Sequence, residues 1–274
     1  MADSLRRLLR LPEAGITHLE WTPGTADLCC GTSSGEVFLV RTPMGRTRVR
    51  QCAGAIQGLG IDEEGIVGLD DSGRWWRVQG DASVRGGPHR MSGHVQVIAR
   101  GHDVWVVGEQ REGLTAWLLR NGVSHVKLTV PEKTVVRVHP HDGLQLVRWL
   151  EDHTIEHRHP MAGERFSSTL PLGARVLERR GHLVALFDDK VMQHRGSERL
   201  TVPCAHPVDV DISEDGSSLA IVLASGEVLA VRDGSTAARV DPGGLGTRVA
   251  LDAAGGRLAI AGEDLSLWQW RRAS

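Results

Sequence analysis

The chain has 274 residues, 41 % of them hydrophobic and 24 % charged, and its 34 acidic and 32 basic residues leave a net charge of −2. This is ordinary for a folded domain and excludes a globally basic surface of the kind that neutralises nucleic-acid phosphates. Four cysteines, two of them adjacent (Cys29 and Cys30), exclude a disulfide scaffold, and the absence of any C-x-x-C pair excludes a zinc ribbon.

The first fifteen residues, MADSLRRLLRLPEAG, lack the apolar core of a secretory signal. No later run reaches the roughly 18 apolar residues of a membrane helix. With single, unpatterned cysteines, this predicts a cytoplasmic protein that does not enter a membrane. Within that opening, Leu5, Leu8 and Leu9 suit a short amphipathic helix or a strand. Pro12, and a sheet edge described below, favour a strand over 4–12.

From residue 16 onward the chain repeats. A first apolar segment, such as ITHLEW, IQGLGI, VQVIAR, TVVRVHP, ARVLER, VDVDIS or TRVALD, opens each unit. A turn rich in Gly, Asp or Pro follows, then a second apolar run, a second polar turn and a third segment. The third segments are GEVFLVR, GRWWRVQ, LTAWLLR, DHTIEHR, DKVMQHR, GEVLAVR and DLSLWQWR. Their last residues are Arg41, Gln79, Arg120, Arg158, Arg195, Arg232 and Arg271, at spacings of 38, 41, 38, 37, 37 and 39. A weaker fourth strand fits between units, as in RTRVRQC (46–52) and SHVKLTV (124–130).

Four short strands in about 40 residues, repeated around seven times, predict an all-β, seven-bladed β-propeller of four-stranded blades. A sandwich needs far fewer strands, and a helical solenoid needs period-3.6 stripes that are absent. The whole chain, 1–274, reads as one propeller domain with blades near 13–52, 53–92, 93–131, 132–171, 172–204, 205–243 and 244–274. The last unit stops after its third strand, and the spare segment 4–12 is expected to supply the fourth and close the ring.

The repeat resembles the WD-repeat class of propellers in a degenerate form, over almost the whole chain. Gly93-His94 matches the family's Gly-His ahead of the first strand, Asp71, Asp152 and Asp189 its turn aspartate, and Trp268 and Trp270 its third-strand tryptophan. No unit carries the Trp-Asp pair; the Arg series stands where its Asp would. The resemblance implies blades held by apolar packing and a protein-binding role without catalysis or cofactor. Degenerate propellers of this architecture also occur in bacterial systems beside MoxR-type ATPases and von Willebrand A proteins, which makes those candidate partners.

One segment argues for different chemistry. His153-Thr154-Ile155-Glu156-His157 spells H-x-x-E-H, a zinc-peptidase pattern that requires a helix to bring both imidazoles to one metal. On a strand the two would stand about 13 Å apart. Glu151–Arg158 aligns without gaps with Asp188–Arg195, which has no such motif, so the segment reads as a blade strand. A weaker metal reading brings His139 and His141, in a first turn, toward His157 and His159, at the end of the third strand of the same unit.

The Arg series has two readings: solvated strand ends that discourage edge pairing, or a basic rim that grips an acidic protein partner. The expected rim is Arg41, Arg120, Arg158, Arg195, Arg232 and Arg271. No nucleophile elbow, phosphate loop or dinucleotide fingerprint is present. His18, Glu20, Asp209 and Asp211 lie in first strands, where a lactonase-like propeller hydrolase holds its metal. The sequence therefore favours a non-catalytic scaffold or adaptor, with a metal-dependent hydrolase as the alternative.

Overall fold

A computed structural model describes every residue except 1–2, 14, 23–24, 42–44, 63–64, 80–81, 86–91, 101–102, 111–112, 121–122, 130–133, 140–142, 150–153, 159–164, 170–174, 180–181, 196–197 and 272–274. The described residues hold no helix and 28 strands. In chain order the first is β1 (Ser4–Leu11). Four hairpin-linked strands follow: β2 (Ile16–Trp21), β3 (Asp27–Thr32), β4 (Glu36–Arg41) and β5 (Gly45–Gln51). Next come β6 (Ile56–Asp62), β7 (Gly65–Asp70), β8 (Trp75–Gln79) and β9 (Ala82–Arg85), then β10 (Ser92–Arg100), β11 (Asp103–Gln110), β12 (Gly113–Arg120) and β13 (Val123–Thr129). After them lie β14 (Thr134–His139), β15 (Gly143–Trp149), β16 (Thr154–Arg158) and β17 (Arg165–Thr169), then β18 (Arg175–Arg179), β19 (His182–Leu186), β20 (Lys190–Arg195) and β21 (Glu198–Pro203). The chain ends with β22 (Pro207–Ile212), β23 (Ser218–Leu223), β24 (Val228–Arg232) and β25 (Ser235–Val240), followed by β26 (Arg248–Leu251), β27 (Arg257–Ala261) and β28 (Leu265–Arg271).

These strands form seven four-stranded antiparallel sheets. Six are meanders of consecutive strands. The seventh has the order β1-β28-β27-β26, so the N-terminal segment is its outermost strand. The expected fourth strands, 46–52 and 124–130, are β5 and β13.

The chain divides into two compact units. One comprises residues 1–50 and 173–274, the other residues 51–172. In the first unit, successive sheets pack face to face, and the alternation of side chains along a strand splits it between two cores. Leu219, Ile221 and Leu223 of β23 pack toward β19–β21, while Ala220 and Val222 pack toward β26–β28. In β27, Leu258 and Ile260 join that second core, and Ala259 and Ala261 join a third with Leu28, Cys30 and Phe38. Such strands are covered on both faces, which is why β23 reads as the unbroken run SLAIVL and is buried throughout. Burying each large aliphatic side chain contributes about 1.5–3 kcal/mol, so these cores dominate the stability of the unit.

The second unit has its own core between the β6–β9 and β10–β13 sheets, built from Val67, Leu69, Trp75, Val97, Val104 and Val106. Trp76 lies flat across Gly68, where a Cβ would run into the indole. Any larger residue at 68 would displace the ring.

Two expectations need correction. Gly93 and His94 do not precede a strand; they lie inside β10, where the register against β11 shifts between Ser92 and Gln96. A bulge absorbs the two residues and lets the ladder continue through them. The turn between β7 and β8 is held by Asp70 rather than Asp71. Oδ1 of Asp70 accepts hydrogen bonds from the amides of Ser72 (3.1 Å) and Arg74 (3.0 Å). Asp71 instead packs over Gly54.

Candidate functional site

The Arg series ends its strands as the repeat requires: Arg41, Arg120, Arg158, Arg195, Arg232 and Arg271 are the last residues of β4, β12, β16, β20, β24 and β28. Their surroundings differ. Arg41 is half exposed, and its Nε donates to Asp27 Oδ2 at 2.8 Å. Arg271 is exposed. Arg120 stands opposite Asp103 in the ladder, Arg158 opposite Leu146 and Arg165, and Arg195 opposite Glu198.

Arg232 departs from the exposed strand end expected of it. Its side chain is only 13 % exposed, and its guanidinium lies 4.4 Å from the centroid of the Trp270 ring. Nη1 donates to Asp3 Oδ2 at 2.6 Å, and the Trp270 indole N–H donates to the same oxygen at 3.0 Å. One carboxylate oxygen thus joins the start of the chain, the end of β24 and the end of β28. This gives Arg232 a structural task, because a partly buried, charge-assisted and stacked contact is far stronger than a rim ion pair. The sequence offered no sign of it, since Asp3 lies more than 200 residues away.

The first-strand carboxylates are also occupied. Asp209 and Asp211, both buried, project from β22 toward β26. Asp209 Oδ2 accepts from the Val249 amide at 3.0 Å, and Asp211 Oδ2 from the Leu251 amide at 2.6 Å. Trp21 makes a similar bond from the other side, its indole N–H donating to the Ala250 carbonyl at 3.1 Å. The backbone of β26 is therefore gripped by side chains of both neighbouring first strands. The i, i+2 spacing of the two aspartates puts both on one face. His18 and Glu20 are only partly buried on β2, and the His18 ring nitrogen Nδ1 lies 3.1 Å from Thr17 Oγ1.

The H-x-x-E-H segment is not helical. Thr154–Arg158 is strand β16, with His157 opposite Val147 and Phe166, while His153 lies outside the described residues. Of the weaker metal set, His139 ends β14 opposite Gly143, and His141 and His159 lie outside the described residues. Among the described residues no cluster of three or more His, Cys, Asp or Glu could hold a metal ion.

Cys29 and Cys30 are fully buried on β3, and burial pushes both thiols far above their ordinary range. The half-buried Cys204 is raised too, again chiefly by burial. None is poised as a thiolate nucleophile.

One concave feature of the first unit lies where the lead-in to β22 meets the β23–β24 turn. A groove of about 350 Å³ opens there, lined by Pro203, His206, Leu223, Glu227, Leu229 and Arg239 among others. His206, at φ +48°, accepts at its carbonyl from the Ala224 amide (2.9 Å) and donates its own amide to Asp188 (2.7 Å), which fixes the groove wall. On the far side of the same turn the loop 242–246 carries Leu245, 59 % exposed. The signal for it was present in the sequence as a lone apolar residue in Pro-Gly-Gly-Leu-Gly.

No family model and no curated protein matches the chain by sequence. Its structure is similar to solved WD40-type propellers. The β-propeller domain of Cps50 (Swd1) from Myceliophteria thermophila superposes with a TM-score of 0.71 at 14 % identity, covering 97 % of this chain and 99 % of that one. The WD40 β-propeller domain of Doa1 gives 0.67 at 12 % identity, covering 97 % of each. The fold is thus that of the WD40 β-propellers. No helix among the described residues is long and apolar enough to cross a membrane.

Proposed function

We propose that the chain is a non-catalytic scaffold or adaptor that binds other proteins, its seven sheets being the blades of one ring in which β1 completes the last blade. One observation carries the reading. Asp209 and Asp211, at the first-strand positions where a propeller hydrolase would hold its metal, are spent on the Val249 and Leu251 amides. A carboxylate that satisfies a buried amide cannot move to a metal without leaving that donor unpaired. The WD40 fold supports the same class of role, although a fold alone does not fix a function. Within the Arg series, a basic rim would rest on Arg41 and Arg271 before Arg232. A MoxR-type ATPase and a von Willebrand A protein are the named partners to try first.

Affinity capture from the native host, with untagged protein analysed in parallel for bound metal, tests the reading. A stoichiometric protein partner and no stoichiometric metal is the expected result. Stoichiometric zinc or calcium, with lactone or ester hydrolysis lost on chelation and no protein partner, would overturn it in favour of a hydrolase. A single closed ring further predicts one cooperative unfolding transition; two separate transitions would argue against it.

A further inference from the structure

We propose that the end of the β22–β25 sheet at its β23–β24 turn, together with the loop 242–246, docks a basic, apolar segment of a partner protein. The proposal deepens the protein-binding reading above and rests on it. Its first support is the way Leu245 is held. A Cβ on Gly262 would run into the Leu245 carbonyl oxygen, and one on Gly226 (φ +88°) would fall 3.0 Å from Leu245 Cα. The β23–β24 and β27–β28 turns therefore press on the loop from both sides, and only glycine lets them approach so closely. The loop is also pinned at its ends. Gly243 donates its amide to Asp241 Oδ1 at 2.8 Å, and Thr247 donates its amide to the Ala261 carbonyl at 2.8 Å.

On this fixed base the side chain of Leu245 stands in solvent. Only Leu8 and Leu245 are exposed large apolar residues among those described, and Leu245 is the more exposed. An apolar side chain presented on a rigid backbone loses little freedom when covered, which is the property of an anchor residue. Across the Ala224–Glu227 turn lies the 350 Å³ groove, with Leu223 and Leu229 as its buried apolar floor. A knob and a groove thus flank a single turn.

Charge selects the occupant. Asp241 precedes the loop and Glu263 lies against Gly244; both are exposed and make no ion pair with any described residue. Glu227 and Asp264 are each matched by one cation, Arg239 and Arg10. Four carboxylates against three guanidiniums, counting Arg248 at the start of β26, leave the surround net acidic, so a complementary segment carries arginine or lysine beside its apolar residue. Its apolar side chain enters the groove, Leu245 is covered by an apolar recess of the partner, and a cation meets Asp241 and Glu263.

The test uses the full chain and a panel of fluorescent peptides with a central leucine flanked by arginines, by serines or by glutamates. The expected order of affinity is arginine, then serine, then glutamate, with arginine binding weakened by salt. Leu245→Ser and Ala224→Trp should each weaken the arginine peptide at least tenfold, and Glu263→Lys should abolish the preference for arginine over serine. All three variants should keep the wild-type melting temperature, because each changes an exposed side chain. Equal binding of the three peptides, binding of none, or a self-association abolished by Leu245→Ser would overturn the proposal, the last by making a second copy the occupant. Capture from host lysate separates the two levels. A stoichiometric partner retained equally by wild type and Leu245→Ser sinks this surface and leaves the protein-binding role standing, whereas no partner for either sinks that role.

Discussion

The β22–β25 sheet and its neighbour, formed by β26–β28 with β1, share one plan but hold their outermost strands differently. β25 follows β24 through Asp233-Gly234, both at positive φ (+47° and +79°), a tight hairpin that sets the register covalently. β1 reaches β28 from the opposite end of the sequence, so no turn aligns it. Polar contacts spaced along it do so instead. Asp3 meets Arg232 and Trp270, Arg10 meets Asp264, and Glu13, just beyond the strand, meets Arg46. Only Leu5, Leu9 and Leu11 give it apolar anchorage, each partly buried. An outer strand without a hairpin thus depends on contacts fixing both ends, and its register bulges between Arg7 and Leu9 where neither end dictates it.

Deleting residues 1–11 breaks the comparison outright. It strips three partly buried leucines and a whole ladder from β28 and uncovers Trp268 and Trp270. The expected cost is about 3–5 kcal/mol, a fall in Tm on the order of 10 °C, with self-association through the bared edge. Adding a synthetic peptide of residues 1–12 should restore Tm in a concentration-dependent way. A monodisperse deletion variant with wild-type Tm would show that β1 is dispensable.

Arg232→Ala probes one end of the strand alone. It removes a partly buried ion pair and a stacked cation together. A loss of about 2–3 kcal/mol is expected in urea unfolding, and Arg232→Lys should recover less than half because the planar fork is absent. Combined with the 1–11 deletion, Arg232→Ala should add little. A fully additive double variant would show that Arg232 stabilises the unit without acting through β1.

Asp211→Ala asks whether the two sheets depend on each other. It unpairs the Leu251 amide in a buried place, for an expected loss of about 1–3 kcal/mol. Asp211→Asn keeps an acceptor oxygen and should lose less. Denaturant midpoints for the pair decide it, and equal losses would mean that side-chain volume rather than the hydrogen bond is what matters.

Much of this architecture was legible from the sequence. ITHLEW is β2 residue for residue, each third segment ends its strand at the predicted position, and SLRRLLRL is a strand, because apolar runs bounded by Gly, Asp and Ser encode pairing locally. The site was less legible. Asp209 and Asp211 stood out as first-strand acids, but their partners are amides 40 residues on. Arg232 looked like its five counterparts, and only the arrival of Asp3 makes it different. The exposure of Leu245 is set by Gly226 and Gly262, two turns that meet only in the folded unit. Contacts made by the register of distant strands leave no periodic trace, whereas the strands themselves do.

Arg41 offers the sharpest control because it occupies in β4 the place that Arg232 occupies in β24. Its pair with Asp27 joins residues opposite each other at the start of β3 and the end of β4. The two strands are already registered by the turn between them, so the pair fixes nothing that the backbone has not fixed. Half of the Arg41 side chain is in water, where screening and side-chain entropy offset most of the Coulomb attraction. Arg41→Ala should therefore cost only about 0.2–1 kcal/mol, and less in high salt. Urea unfolding of Arg41→Ala beside Arg232→Ala, at low and high ionic strength, measures the difference. Equal losses would mean that strand-end arginines act alike whatever they touch, and the special holding of β1 would have to come from its leucines.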